Sequence, residues 1–266
     1  MPRLAPLLLA AVMLPAAAQT SQAHYDGFKI YPVDASVPAD PEVEKALAPY
    51  RAELEAKFGR VLCQAPQGLF RGRKGEPNLL GFWMADLMRE AAEKATGGKI
   101  DAAITNSGGL RANLRPGAVK VSDVYEVMPF ENGLVVVEMS GAEIVRAVKQ
   151  GLERRAGEPV SNLRAVLSGT PEQPVCKVTF ADGSAIDPAA TYRVATSDYL
   201  AKSGDTMGAL RGRKIEDTGL KLRDTVLQAC EALGKAGKPL LPPDGGRYAI
   251  PEAFLDPLDQ QKVKLP

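Results

Sequence analysis

Histidine is almost missing from this sequence, since His24 is the only one in 266 residues. Hydrolytic sites with two metal ions need several histidines and carboxylates at one point, and a Ser-His-Asp triad needs a histidine inside the fold. The sequence also has no Cys-x-x-Cys pair and no phosphate-binding Gly-x-x-x-x-Gly-Lys loop. We therefore expect this chain to supply no catalytic residue, to bind no metal and to need no cofactor.

An excess of one charge is missing too. The chain has 33 Lys and Arg against 32 Asp and Glu, a net charge of +1. Proteins that bind nucleic acid usually carry a basic face, so we expect no nucleic-acid partner. Basic residues do cluster at residues 71–74 and 211–214, and a solvated surface is the expected role of the second cluster.

Long apolar runs are absent after the N-terminus. Arg3 precedes the apolar run Leu4 to Pro15, and Ala16-Ala-Ala18 offers a small-residue cleavage site. This order is typical of a secretory signal peptide, and the run is too short for a permanent membrane anchor. We predict a cleaved signal peptide at residues 1–18 and an extended lead-in at residues 19–39. The mature protein is expected to be periplasmic or secreted, without a membrane span.

Cysteine is scarce, with only three in the chain. In an oxidising compartment two of them can form a disulfide. Cys63 and Cys176 both lie in strand-like runs and are the more favoured pair, which leaves Cys230 single. Three buried free thiols are an equally good alternative.

Hydrophobic periodicity and turn residues predict one α+β domain, a mixed sheet with packed helices, over residues 40–235. The proline-rich residues 236–266 are expected to form an irregular tail. Helices are predicted at residues 40–58, 78–96, 121–127, 140–155 and 225–233. Strands are predicted at residues 60–65, 100–105, 133–139, 163–167, 175–180 and 192–196.

A glycine-containing loop follows the apolar run Ile100 to Thr105. Gly108 and Gly109 allow a sharp turn and a close approach of the backbone to a ligand. At the two ends of the loop, the amide of Asn106 and the guanidinium of Arg111 offer several donors to a polar or anionic ligand. The loop therefore predicts a binding site.

An aromatic residue in a stiff segment lies about twenty residues further on. In Met128-Pro-Phe-Glu-Asn132, the ring of Phe130 is next to a proline with a fixed backbone angle. The two segments together suit a heteroaromatic ring that bears polar groups. From the pattern alone, a core position is favoured for Phe130 over a stacking role.

Four ordered motifs resemble the C-terminal domain of the 5'-nucleotidase family. They are Glu76-Pro-Asn-Leu-Leu-Gly81 with Ala85-Asp86, Thr105 to Arg111, Met128 to Asn132, and Ser197 to Asp205. The resemblance spans most of residues 60 to 210 and implies the mixed-sheet α+β fold of that domain. In the family, this domain holds the nucleoside part of the substrate. A separate N-terminal metallophosphatase domain carries two metals and cleaves the phosphate ester.

The resemblance also assigns roles to individual residues. Phe130 and Tyr199 resemble the two aromatics that stack on the base, and Asp205 resembles the carboxylate that holds the ribose hydroxyls. The base and phosphate contacts are carried over to three polar residues: Asn106, Arg111 and Asn132. A core position remains the alternative for both aromatics. The alternatives for the polar residues are a surface ion pair for Arg111, a turn for Asn106 and Asp205, and the start of the next strand for Asn132.

The sequence departs from the family pattern at several points. Ser203 stands where the family has a glycine, and Tyr199 where it more often has phenylalanine. The family's upstream phosphate-binding arginine has only loose counterparts in residues 71–74. Because the predicted signal peptide leads almost directly into the predicted domain at residue 40, we expect the family's metallophosphatase domain to be missing.

Three functions follow as expectations. The first is an exported stand-alone domain that binds a nucleoside or nucleotide and serves nucleotide catabolism. The second is a 5'-nucleotidase-type hydrolase that acts with a separate metallophosphatase. The third is a structural or partner-binding domain that has lost the ligand.

Overall fold

The computed structural model describes residue 34, residues 36–155 and residues 157–266. The predicted signal peptide, most of the predicted lead-in and His24 lie outside these residues. The described helices are α1 Pro41–Phe58, α2 Leu79–Thr96, α3 Val121–Val127, α4 Gly141–Arg155, α5 Asp198–Ser203, α6 Leu222–Lys235 and α7 Glu252–Asp259. None of these helices is long and apolar enough to cross a membrane.

The strands form three sheets. The strands are β1 Val61–Ala65, β2 Ala102–Ile104, β3 Gly117–Lys120, β4 Gly133–Ser140, β5 Val160–Ser161, β6 Leu163–Thr170, β7 Gln173–Phe180, β8 Thr191–Ser197, β9 Ile215–Lys221 and β10 Tyr248–Ala249. The largest sheet has the order β5-β2-β8-β4-β9, the second the order β10-β6-β7, and the third pairs β1 with β3. In the largest sheet β2 and β8 are parallel, and β4 is antiparallel to both β8 and β9. The predicted mixed-sheet α+β fold is confirmed.

The strand β4 separates two hydrophobic cores. Its side chains alternate between the two faces of the sheet, as in any strand. Leu134 and Val136 belong to a core that includes buried residues of α2 and α6, whereas Val135 and Val137 belong to a core with α4 and α5. Helices therefore cover both faces, which explains why β4 is apolar at four successive positions, Leu134 to Val137.

The chain divides within α1 into two units, and the second, Ala48–Pro266, contains all the described strands. Helix α1 forms where it is predicted, but none of its residues is buried. Its last residue, Phe58, packs edge to face on Tyr125 with ring centroids 4.9 Å apart. The domain limits of 40 and 235 remain predictions.

The expectation of an irregular tail after residue 235 is wrong. The segment contains β10, which pairs in parallel with β6, and α7, which buries Phe254 and Leu258. A two-residue strand is too short to show a period, and Pro257 inside the eight-residue α7 argues against a helix when only the sequence is considered.

The favoured Cys63–Cys176 disulfide does not form, and all three cysteines are free thiols. Cys63 lies on β1 and its thiol is hydrogen-bonded to that of Cys230 on α6, whereas Cys176 lies on β7 in another sheet. Burial raises the pKa of both Cys63 and Cys230. Two strand-like runs were not enough to predict a pair, since the runs belong to different sheets.

Candidate functional site

The topology of the largest sheet brings three of the predicted binding segments to one edge. Because β2 and β8 are parallel, their carboxyl ends meet at the same edge, and the amino end of antiparallel β4 lies there as well. Leu134 pairs with Ser197, for example. The segment after β2 begins at Asn106, the segment before β4 ends at Asn132, and the segment after β8 begins at Asp198. These three segments therefore lie side by side at one edge of the sheet. Crevices at such carboxyl ends are common ligand sites in sheets with parallel strands.

The loop after β2 is a short 3-10 turn, Ser107–Gly109. Gly108 and Gly109 do not use the left-handed conformation, but a Cβ on Gly109 would lie 3.2 Å from Oδ1 of Asn106. A glycine there leaves space for the buried Asn106 amide, which is 7% exposed. The backbone N–H of Arg111 donates to Val127 O at 2.8 Å, and its exposed side chain donates to Gly108 O at 3.3 Å.

The two predicted stacking residues are exposed. Phe130 is 41% and Tyr199 is 44% accessible, so neither ring is a core residue. Their segments are tied together where they leave the sheet, because Gly133 N–H donates to Asp198 Oδ1 at 3.0 Å. Burial of Asp198 opposes its ionisation, but the hydrogen bonds from Lys202 and Gly133 outweigh that effect and lower its pKa.

Asp205 lies against the first loop. Its Oδ2 accepts a hydrogen bond from Asn106 Nδ2 at 2.9 Å, so two residues predicted from separate motifs are in contact. Asp205 has a φ of 44°, and its N–H donates to Ser203 Oγ at 3.2 Å. Ser203 also donates to Tyr199 O at 2.8 Å, which closes the end of α5. Asn132 is half-buried just before β4, and its carbonyl accepts from Leu222 N–H at 3.0 Å.

A carboxylate that the sequence did not predict lies beneath these loops. Glu158 is 1% exposed and accepts hydrogen bonds from Ser107 N–H and from the Thr206 hydroxyl. Its partners are 51 and 48 residues away in the chain. A single acid between a glycine and a proline gives no local signal of such contacts, so only the fold reveals them.

A cavity of about 660 Å³ opens beside Ser107. It is bordered by the basic loop at residues 71–75, the start of α2 and the C-terminal segment. Its lining includes three arginines: Arg71, Arg73 and Arg154. Nε of Arg71 is buried without a hydrogen-bond partner among the described residues. The fourth cation, Lys74, forms an ion pair with Asp256.

No group of three His, Cys, Asp or Glu side chains in the described part of the chain is arranged to hold a metal ion. The exposed aromatic rings and the carboxylate of Asp205 are suited to an aromatic ring and to hydroxyl groups, and the basic cavity is suited to an anionic group.

Comparisons with known proteins agree with the resemblance seen in the sequence. A family model described as the 5'-nucleotidase, C-terminal domain, matches residues 61–212, more than half of the chain. The trifunctional nucleotide phosphoesterase YfkN of Bacillus subtilis is 30% identical over 250 residues, which are 88% of this chain and 17% of that protein. A probable 5'-nucleotidase of Treponema pallidum is 28% identical over 188 residues, with 64% of this chain and 30% of that protein covered.

A solved structure has the same fold. The 5'-nucleotidase precursor of Thermus thermophilus superimposes with a TM-score of 0.68 at 27% identity, over 80% of this chain and 44% of that one. The chain thus spans less than half the length of each of these three relatives. On the strength of the matched domain and fold, the chain belongs to the 5'-nucleotidase family, and what it contains of that family is the C-terminal domain.

Proposed function

We propose that this protein binds a nucleotide at the edge of the largest sheet where β2 and β8 end. The base stacks between Phe130 and Tyr199, and the ribose hydroxyls bind to Asp205. Three polar residues complete the contacts with base and phosphate: Asn106, Arg111 and Asn132. The observation that carries the proposal is the pair of exposed aromatic side chains on adjoining segments, next to a carboxylate that a buried amide orients.

Each part has a physical reason. Stacking on an aromatic side chain contributes roughly 1–3 kcal/mol per base in proteins that bind single strands. The hydrogen bond from Asn106 engages Oδ2 of Asp205 and leaves Oδ1 to accept from a hydroxyl. The exposed guanidinium of Arg111 can donate two parallel hydrogen bonds to a phosphate.

The neighbouring cavity supports a phosphorylated ligand over a free nucleoside. Arg71 and Arg73 lie on the loop that borders Ser107, and no ion pair engages either side chain among the described residues. Their guanidinium groups can donate hydrogen bonds to a phosphate oxygen. These residues are the loose counterparts of the family's upstream arginine.

Titration calorimetry with AMP, adenosine and a UDP-sugar tests this proposal. We expect AMP to bind more tightly than adenosine, and Phe130→Ala or Tyr199→Ala to weaken AMP binding about 5- to 150-fold each. Tyr50→Ala removes an exposed tyrosine from α1 and serves as the matched control. Absence of heat with all three ligands in the folded protein would refute the proposal and favour a domain that has lost its ligand.

We further propose that the protein is exported and acts with a separate metallophosphatase. The export rests on the predicted signal peptide at residues 1–18. The partner is suggested by the names of the relatives, a nucleotide phosphoesterase and a probable 5'-nucleotidase, of which this chain spans only a part. The purified chain should release no phosphate from AMP with manganese, zinc or magnesium. Turnover that a chelator abolishes would contradict this and assign hydrolysis to the chain itself.

A further inference from the structure

A buried carboxylate joins the two loops that carry Asn106 and Asp205. We propose that Glu158 is a positioning residue. It holds these two loops in a fixed position relative to each other and thereby sets the preference of the site for ribose over a sugar without hydroxyls. The inference rests on the proposed function, in which Asp205 binds the ribose.

The Glu158 carboxylate accepts one hydrogen bond from each loop, and these two bonds are its two arms. The first arm is the bond to the loop after β2. Oε2 of Glu158 accepts from Ser107 N–H at 2.6 Å, a short bond of the kind that a charged acceptor makes. Ser107 directly follows Asn106, so this bond fixes the peptide from which the Asn106 side chain extends. Ser107 Oγ in turn accepts from Asn78 Nδ2 at 3.1 Å, which anchors the loop to the start of α2.

The other arm reaches the loop after α5. The hydroxyl of Thr206 donates to Glu158 Oε1 at 3.3 Å. Thr206 directly follows Asp205, whose φ of 44° is uncommon for a residue with a side chain and needs support from its surroundings. The two arms thus end one residue beyond the two partners of the Asn106–Asp205 hydrogen bond.

Glu158 itself is firmly held. Its carbonyl accepts from the Tyr248 hydroxyl, which belongs to the C-terminal segment. If Gly151 on α4 carried a Cβ, that atom would lie only 3.2 Å from both Cβ and Cγ of Glu158. With 1% exposure and contacts from two further elements, the C-terminal segment and α4, Glu158 is a fixed point against which both loops are aligned.

The substitution Thr206→Val tests the second arm without changing the shape of the side chain. The assay compares Kd of the full chain for AMP and for 2′,3′-dideoxy-AMP, which lacks both ribose hydroxyls. We expect Thr206→Val to weaken AMP binding roughly tenfold, as for a lost hydrogen bond to a charged group, and to leave dideoxy-AMP within about twofold. The ratio of Kd for dideoxy-AMP to Kd for AMP, which measures the ribose preference, therefore falls. Thr96→Val removes a half-buried, hydrogen-bonded hydroxyl on α2 and should leave the ratio unchanged.

Two substitutions of Glu158 separate positioning from mere stability. Glu158→Ala removes both arms and should abolish most of the ribose preference. Glu158→Gln should restore it, because its amide oxygen can accept from Ser107 N–H and its amide nitrogen can donate to Thr206 Oγ. If Glu158→Ala does not fold, Thr206→Val still decides the question.

Several outcomes overturn the inference. Equal weakening of both ligands by Thr206→Val shows a structural role only, and an unchanged Kd for both ligands shows no role. If Glu158→Gln loses the preference for AMP over dideoxy-AMP as completely as Glu158→Ala does, the result contradicts positioning by shape and hydrogen bonds. A wild-type chain that binds neither ligand, or both equally, refutes the proposed ribose site itself. If only the inference about Glu158 is wrong, the wild type still prefers AMP and the variants keep that preference, so the two failures can be told apart.

Discussion

Replacing Arg247 by alanine should destabilise the protein strongly, because this side chain fastens the C-terminal segment to the domain. Its guanidinium forms an ion pair with Asp86 on α2 and donates to the carbonyls of Phe82 and Val160. It also lies over the Phe82 ring, 4.8 Å from the centroid. Its own carbonyl accepts from Ala165 N–H on β6 at 2.8 Å.

The magnitude follows from the burial of the pair. The Arg247 side chain is 13% exposed and that of Asp86 is 32% exposed. Removing one partner of a buried pair costs about 3–5 kcal/mol. Here Asp86 keeps some solvent and the hydrogen bond from Ser161 Oγ at 2.7 Å, so we expect about 2–4 kcal/mol. For a domain of this size, that loss corresponds to a fall in Tm of roughly 5–15 °C.

Differential scanning calorimetry of the wild type and Arg247→Ala measures the effect. The matched control is Arg164→Ala, which removes an exposed arginine from β6 and should change Tm by less than about 2 °C. The double variant with Asp86→Ala should lose less than the sum of the two single losses, since neither charge is then left unpaired. A Tm for Arg247→Ala within 2 °C of the wild type would refute the reasoning and leave the C-terminal segment as a loosely attached tail.

Three further predictions concern packing, pH and thiols. Gly234→Ala should destabilise by about 1–3 kcal/mol in urea unfolding although alanine favours helices, because its Cβ would lie 1.9 Å from a β1 carbonyl oxygen; equal or higher stability would contradict the close packing. The hydrogen bonds from Arg213 and from Ser140, which directly precedes α4, lower the pKa of Glu143 to about 2, so Glu143→Gln should cost about 1–2 kcal/mol at pH 7. This difference should shrink as the pH falls from 4.5 towards 2, and a constant difference over that range would contradict the pKa. A thiol reagent followed by mass spectrometry should label Cys63 and Cys230 only after unfolding, whereas rapid labelling of the native protein would argue against their burial.

The sequence predicted those parts of the fold that have local signals. The helices α2, α3 and α4 are predicted within two residues at each end, because apolar spacing and capping residues mark them. The strand β4 is equally clear as an apolar, β-branched run. By contrast β9 contains acidic residues, a glycine and few apolar side chains, and it becomes a strand only because β4 offers a partner.

The candidate site likewise has residues with a local sequence signal and residues that only distant contacts reveal. Asn106 and Asp205 lie on segments that the sequence singled out, and the parallel pairing of β2 with β8 explains why they meet. Glu158 and the arginine-lined cavity depend on contacts between segments far apart in the chain, for which a single sequence has no signal. The stacking and ribose roles of the predicted residues stay predictions.

The position of β8 between β2 and β4 has a consequence for how the protein reaches its native state. During synthesis β2 and β4 emerge well before β8, yet the native sheet requires β8 to lie between them, with Ala102 paired to Val194 and Val137 paired to the same residue. Closing so long a loop is slow, and the apolar edges of both strands stay unpaired until it happens. The chain must therefore avoid premature pairing and aggregation for longer than a protein with local contacts, so its yield should depend on temperature and on chaperones that protect strand edges.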